Sequence, residues 1–104
     1  MEKKILVLLA TESNKEKSVS IAKLLIRKKL AACISFKEIQ SLYSWQGELE
    51  HSKEIEIIIK SKPNKLNPLL ETLKKELSYE IPQLIYKVFE SEENYYKWIT
   101  KLIG

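Results

Sequence analysis

The stretch AACISFKEIQSLYSWQGELEHSKEIEIIIKSK, residues 31–62, decides the predicted fold. It reads as two extended segments joined at Gly47, because Tyr43 and Trp45 have the two-residue spacing of one strand face and a glycine permits a tight turn. Strands usually run for about 5 to 6 residues, whereas these two strands and their turn use about thirty. The hairpin is therefore expected to project beyond the body of the domain.

The segments before and after the hairpin predict further strands and helices. Residues 5–9 form a short apolar run, which is typical of a strand buried on both faces. Ser13 and Glu16 fit a capping box for a helix that ends near Lys29. After Pro63, leucines recur at helical spacing and predict a second helix.

A last strand and a last helix complete the chain. Residues 84–89 alternate as a strand does, Pro82 suits the start of that strand, and Ser91 can cap a C-terminal helix. The predicted buried stripe of this helix consists of Tyr95, Trp98, Ile99, Leu102 and Ile103. The order of elements specifies an α+β, ferredoxin-like βαββαβ sandwich, in a single domain over residues 1–104, with an extended hairpin between its second and third strands and a C-terminal helix.

Composition limits the classes of function. Of the 104 residues, 44% are hydrophobic and 31% are charged, as in globular proteins. No apolar run approaches the ~20 residues that cross a bilayer, so we expect no membrane role and a cytoplasmic location. The net charge of +4 comes from a lysine-rich stretch between residues 12 and 30 that contains one arginine. We interpret this stretch as a solvated helix face and predict no nucleic-acid partner, because phosphate recognition favours arginine.

Several catalytic and metal-binding patterns are missing from the sequence. The chain has no Asp and a single His, His51, which removes a Ser-His-Asp triad, an EF-hand loop and an Asp-based dinuclear site. We therefore predict that the protein is not an enzyme. The single cysteine, Cys33, is most simply a small buried hydrophobe, and its alternative role is a thiolate ligand for copper or another divalent cation. One thiol is too few for a closed site, so further donors would be His51, Glu54, Tyr79 or symmetry-related thiols.

The projecting hairpin carries apolar side chains that a monomer should not expose, namely Leu42, Tyr43, Trp45 and Leu49. A second copy of the chain is the simplest cover, and aromatic rings are favoured in interface cores. Tyr43, Trp45, Glu54, Lys60 and Tyr79 then become candidates for an intersubunit cleft that combines acid, base and rings. The competing interpretation of Glu54 and Lys60 is a salt-bridged interface.

Three segments together resemble one known family. Residues 28–61 with "YEIPQLI" at 79–85 and "YYKWI" at 95–99 are similar to the CutA divalent-cation tolerance proteins over nearly the whole chain. The resemblance implies a ferredoxin-like homotrimer, paired hairpins between subunits, and tolerance to copper and other divalent cations. It also implies a histidine before the Tyr79-Glu80 pair, where this chain has Ser78. The alternative is a trimeric sensor resembling the PII-like proteins, with a small anionic ligand bound in clefts between subunits.

Overall fold

The computed structural model describes residues 2–104 and contains four strands and three main helices in the predicted order. Their bounds are β1 Lys4–Glu12, α1 Lys15–Arg27, β2 Cys33–Trp45, β3 Glu48–Ser61, α2 Leu66–Glu76, β4 Leu84–Glu90 and α3 Glu93–Ile103. A short 3-10 turn over Pro63–Lys65 leads into α2. The sheet is antiparallel, with strand order β2-β3-β1-β4. The predicted fold class is confirmed.

The hairpin of β2 and β3 extends far beyond the rest of the sheet. Its pairing is continuous from Cys33 opposite Lys60 to Trp45 opposite Glu48, whereas β1 stops pairing with β3 at Ile55. Residues 39–54, called the ribbon below, therefore form a two-stranded extension. The molecule measures 49 × 24 × 22 Å, which agrees with the predicted projection.

The turn of the ribbon consists of Gln46 and Gly47, with φ angles of 50° and 82°. Two positive φ values mark a type I′ turn, whose twist matches that of the flanking strands. A Gly47→Ala substitution adds a Cβ that meets no atom within 4 Å. We expect it to cost about 1 kcal/mol through the positive φ alone. Denaturant unfolding measures this cost, and Ser44→Ala, at an exposed ribbon position without a positive φ, is the control, for which we expect a change of no more than about 0.5 kcal/mol.

Helices cover both faces of the sheet. Leu6, Leu8 and Ala10 of β1 belong to the core with α1 and α2, whereas Ile5 packs with α3 on the opposite face. Because successive side chains of a strand point to opposite faces, the continuous apolar run at residues 5–9 reflects these two cores. The main core also includes Leu25 of α1, Ile55, Ile57 and Ile59 of β3, and Leu69 and Leu73 of α2.

Two predicted helix caps are wrong by one residue. The N-cap of α1 is Asn14, whose side chain accepts a hydrogen bond from the Lys17 N–H at 2.9 Å, while Ser13 instead donates to Glu12. The N-cap of α3 is Glu92, whose carboxylate accepts from two backbone N–H groups of the first turn at 2.9 Å. In both cases the N-cap is the polar residue that follows the predicted one in the sequence. Helix α1 also ends at Arg27, two residues before the predicted Lys29, which has a left-handed φ of 57°.

The predicted buried stripe of α3 is too wide. Ile99 and Ile103 are buried and Tyr95 is half-buried, but Trp98 and Leu102 are exposed. The helix contacts the sheet mainly around Ile5, so only its central row of side chains meets an apolar surface. The prediction that Trp98 and Leu102 are buried within the chain is therefore wrong.

Candidate functional site

A cavity of about 720 Å³ lies between the ribbon and the segment of residues 78–83, which joins α2 to β4. The ribbon contributes Tyr43, Trp45 and Glu54, and the segment contributes Tyr79. This volume lies in the range of small-molecule sites. A second cavity of about 550 Å³ is lined by the start of α1 and the base of the ribbon, and it has no aromatic residue in its lining.

The aromatic residues of the ribbon share one face with its acidic residues. Tyr43 lies opposite Glu50 in the register, and the Tyr43 hydroxyl is 3.0 Å from the Ser52 hydroxyl. Tyr43 and Trp45 are 39% and 38% exposed, because their face is the one that lines the cavity. Among the large apolar side chains of the ribbon, the most exposed are Leu42 and Leu49, which lie on its other face, and Leu42 also borders the cavity.

Four of the five residues predicted to line a cleft come together in this cavity: Tyr43, Trp45, Glu54 and Tyr79. Lys60 does not join them within the chain. Its Nζ lies 5.8 Å from the ring centroid of Tyr95 on α3, and Cys33 lies directly opposite it in β2. The intersubunit role of all five residues stays a prediction.

Glu54 and Tyr79 form the buried end of the cavity. Glu54 is only 9% exposed. Burial raises the pKa of the Tyr79 phenol well above its usual range, and the adjacent Glu54 carboxylate raises it further because it favours the neutral phenol. Tyr79 therefore remains a neutral phenol, and its hydroxyl donates a hydrogen bond to Glu54.

Comparison with known proteins identifies the family. Residues 6–102 match the family model described as CutA1 divalent ion tolerance protein. The chain belongs to this CutA1 family. The divalent-cation tolerance protein CutA of Thermotoga maritima is 33% identical over 100 residues, which cover 95% of this chain and 99% of that protein.

Solved CutA structures have the same fold as this CutA1 family member. CutA from Synechococcus elongatus superposes with a TM-score of 0.94 at 26% identity, covering 100% of this chain and 95% of that one. A protein described as the periplasmic divalent cation tolerance protein CutA from Archaeoglobus fulgidus gives 0.92 at 28% identity, covering 96% and 99%. None of the helices in residues 2–104 is both long and apolar enough to span a membrane.

A buried carboxylate that the sequence did not reveal holds the cavity wall in place. Glu12, at the end of β1, is fully buried, and its carboxylate accepts hydrogen bonds from the Ser78 N–H at 2.8 Å and the Ser78 hydroxyl at 2.9 Å. The N–H groups of Ser13 and Asn14 donate to the same carboxylate at 3.1 and 3.2 Å. Ser78, which stands where the CutA resemblance implies a histidine, thus anchors the segment that carries Tyr79.

This arrangement makes the stability of the protein depend on pH. Burial alone would raise the pKa of Glu12, but the hydrogen bonds from Ser78, Asn14 and Ser13 outweigh it and hold the pKa below its ordinary value. A carboxylate with a lowered folded-state pKa stabilises the fold above its unfolded-state pKa and loses that contribution as the pH falls through the folded-state pKa. We therefore expect the melting temperature to fall more steeply below about pH 4.5 in the wild type than in Glu12→Gln. Parallel curves from thermal unfolding at stepwise lower pH would contradict this assignment.

The residues that the structure describes do not form a metal centre within one chain. Across residues 2–104, no three side chains of His, Cys, Asp or Glu lie close enough together to hold one ion. The candidate ligand Cys33 is half-buried, beside the core of α3. Any site that uses this thiol therefore needs donors from elsewhere.

Proposed function

We propose that this CutA1 family member acts as a cytoplasmic homotrimer in tolerance to divalent cations, copper among them, without catalysing a reaction. The observation that carries the proposal is the uncovered apolar surface of the ribbon. Leu42 and Leu49 are 66% and 74% exposed and lie diagonally across the two strands, on the face opposite Tyr43. A contiguous apolar patch at the end of a long ribbon is typical of a protein interface.

The edge strand β4 offers the complementary surface. Its outer edge has no partner strand in residues 2–104. Its large side chains are exposed on both faces: Ile85, Tyr86, Val88 and Phe89. Because β2 forms the other open edge, one copy can present β4 to the β2 edge of the next. Such a head-to-tail contact joins two different surfaces, and it forms a closed ring when the rotation between copies closes.

Assembly also bears on metal binding. Copper and zinc prefer sites built from several Cys and His donors, and one chain offers the single thiol of Cys33. Direct binding of copper or another divalent cation by this protein therefore depends on donors from more than one copy. We propose weak metal binding of this shared kind, with Cys33 as the ligand from each chain.

Light scattering of the purified protein in neutral buffer tests the assembly. We expect a particle of three chains that persists on dilution, because association would bury the exposed apolar side chains of the ribbon and of β4. A stable, folded single chain under these conditions would remove the basis of the proposal.

Thermal unfolding with added copper tests the metal ligand. We expect copper to raise the melting temperature of the wild type by a few degrees, as a ligand that binds the folded state does, and to leave Cys33→Ser unchanged. Ser35→Ala is the control, because Ser35 is an exposed residue of β2 two positions from Cys33 and is not among the candidate donors. An equal shift in Cys33→Ser and the wild type would exclude the thiol as the ligand.

The cavity gives little support to the alternative of a sensor for a small anion. Its lining contains three carboxylates and no Lys or Arg. An anion would meet repulsion there unless a neighbouring copy supplied basic side chains. The wild type is therefore expected to show no stabilisation by phosphate or by a small carboxylate.

A further inference from the structure

The lining of the cavity combines negative charge with aromatic surface. Glu50, Glu54 and Glu80 contribute carboxylates. Three aromatic residues accompany them, namely Tyr43, Trp45 and Tyr79. The faces of such rings attract organic cations, and the attraction strengthens where water is excluded. The chemistry of the lining therefore favours a cation with an apolar body.

The charge of Glu54 has no counter-ion within the described chain. The ion pairs in residues 2–104 involve Lys3, Lys4 or Lys97, and none of them includes Glu54. No Lys, Arg or His nitrogen in these residues therefore lies within 4.0 Å of its carboxylate. Yet Glu54 is nine-tenths buried against the cavity. Its hydrogen-bond partner is the hydroxyl of Tyr79, which is neutral, and a buried carboxylate without a positive partner is unfavourable. A cation that enters the cavity would supply the missing charge.

The spacing of the carboxylates selects the shape of that cation. Glu50 and Glu54 lie four residues apart on the same face of β3, which corresponds to about 13 Å along the strand. No three acidic, Cys or His side chains of residues 2–104 converge on one point. Tyr43 starts opposite Glu50, and its hydroxyl reaches to 3.0 Å from that of Ser52, the residue midway between the two glutamates. A single metal ion cannot span this distance, whereas a chain of methylene groups with an ammonium group at each end can.

We propose that the cavity between the ribbon and residues 78–83 binds an elongated organic cation with two or more ammonium groups, a linear polyamine in chemical class. Glu54 and Glu50 receive its ammonium groups, and Tyr43 and Trp45 cover the methylene chain. This role goes beyond metal tolerance and does not depend on Cys33.

Tryptophan fluorescence of the purified full-length protein provides the test. In a Trp98→Phe background, Trp45 is the only tryptophan and reports on the cavity, because Trp98 lies on α3 beside Tyr95. Titrations use n-butylamine, 1,4-diaminobutane, spermidine and Mg²⁺ at constant ionic strength. We expect spermidine to bind about tenfold or more tightly than n-butylamine, since it engages a second carboxylate, a gain of about 1.4 kcal/mol.

Two variants with the same change of charge distinguish binding in the cavity from a general electrostatic attraction of cations to the protein. Glu54→Gln is expected to weaken spermidine binding about tenfold. Glu56→Gln removes a carboxylate two residues away that does not line the cavity, and it should leave binding unchanged. Glu50→Gln, at the exposed carboxylate assigned to the second ammonium group, is expected to weaken binding similarly and gives a second test if Glu54→Gln does not fold.

Three results would overturn the proposal. One is equal binding of spermidine, n-butylamine and Mg²⁺, which would indicate an acidic surface without a shaped site. Another is an equal loss of affinity in Glu54→Gln and Glu56→Gln. The third is no response of Trp45 to spermidine in folded protein, as expected if a sister copy fills the cavity.

Discussion

Glu12→Ala is expected to destabilise the protein by about 2 to 3 kcal/mol, because it removes the charged acceptor of the part-buried hydrogen bonds from Ser13, Asn14 and Ser78. The carboxylate ties together three parts of the chain: the end of β1, the start of α1 and the segment that begins at Ser78. The hydrogen bonds have a charged acceptor, which makes each of them stronger than a neutral one. Urea unfolding at neutral pH measures the loss as a lower midpoint.

The matched control for this variant is Glu16→Ala. It removes the same charge and the same atoms from the first turn of α1, where the side chain is exposed. We expect a change of no more than about 0.5 kcal/mol, as at most surface positions. Ser78→Ala should lie between the two, at about 1 kcal/mol, since it removes one of the hydrogen bonds and keeps the backbone donor. Equal stabilities of Glu12→Ala and Glu16→Ala would show that water replaces the carboxylate at no cost.

The fold was predictable because its patterns are long and mutually consistent. The two extended segments on either side of Gly47 are each longer than a usual strand, which predicted a long hairpin, and they pair continuously over their whole length. The apolar run at residues 5–9 predicted burial on both faces, and both faces are covered. The helix caps were less predictable, because Ser13 and Asn14 are both good capping residues. Which one caps α1 is decided by Glu12, which engages Ser13.

The site was predictable in part, and strand geometry explains the limit. Alternation places Tyr43 with Trp45 on one face of β2 and Glu54 with Lys60 on one face of β3, and the register brings both pairs to the same face of the hairpin. It does not measure distance along that face, and Lys60 lies six residues beyond Glu54, or about 20 Å away. Glu12 could not be identified from the sequence, because its partner Ser78 is 66 residues away and nothing local marks the pair.

Replacement of both exposed leucines of the ribbon by lysine is expected to convert the proposed trimer into single chains. Leu42 and Leu49 lie diagonally across the two strands on one face, with no cover from their own chain. In a monomer, Leu42→Lys with Leu49→Lys places two charges in water at little cost. In an interface, each buried ammonium group costs several kcal/mol unless a carboxylate pairs with it. Two such groups should weaken association by about four orders of magnitude or more.

Light scattering and circular dichroism together measure this effect. The double variant should have the mass of one chain and keep the strand and helix content of the wild type, because neither leucine belongs to the core. A control with Ser20→Lys and Asn64→Lys adds the same charge at exposed positions on α1 and on the 3-10 turn, and it should remain trimeric. If the double variant stays assembled while the wild type is a trimer, the ribbon face with Leu42 and Leu49 does not form the contact, and the exposed side chains of β4 become the surface to mutate next.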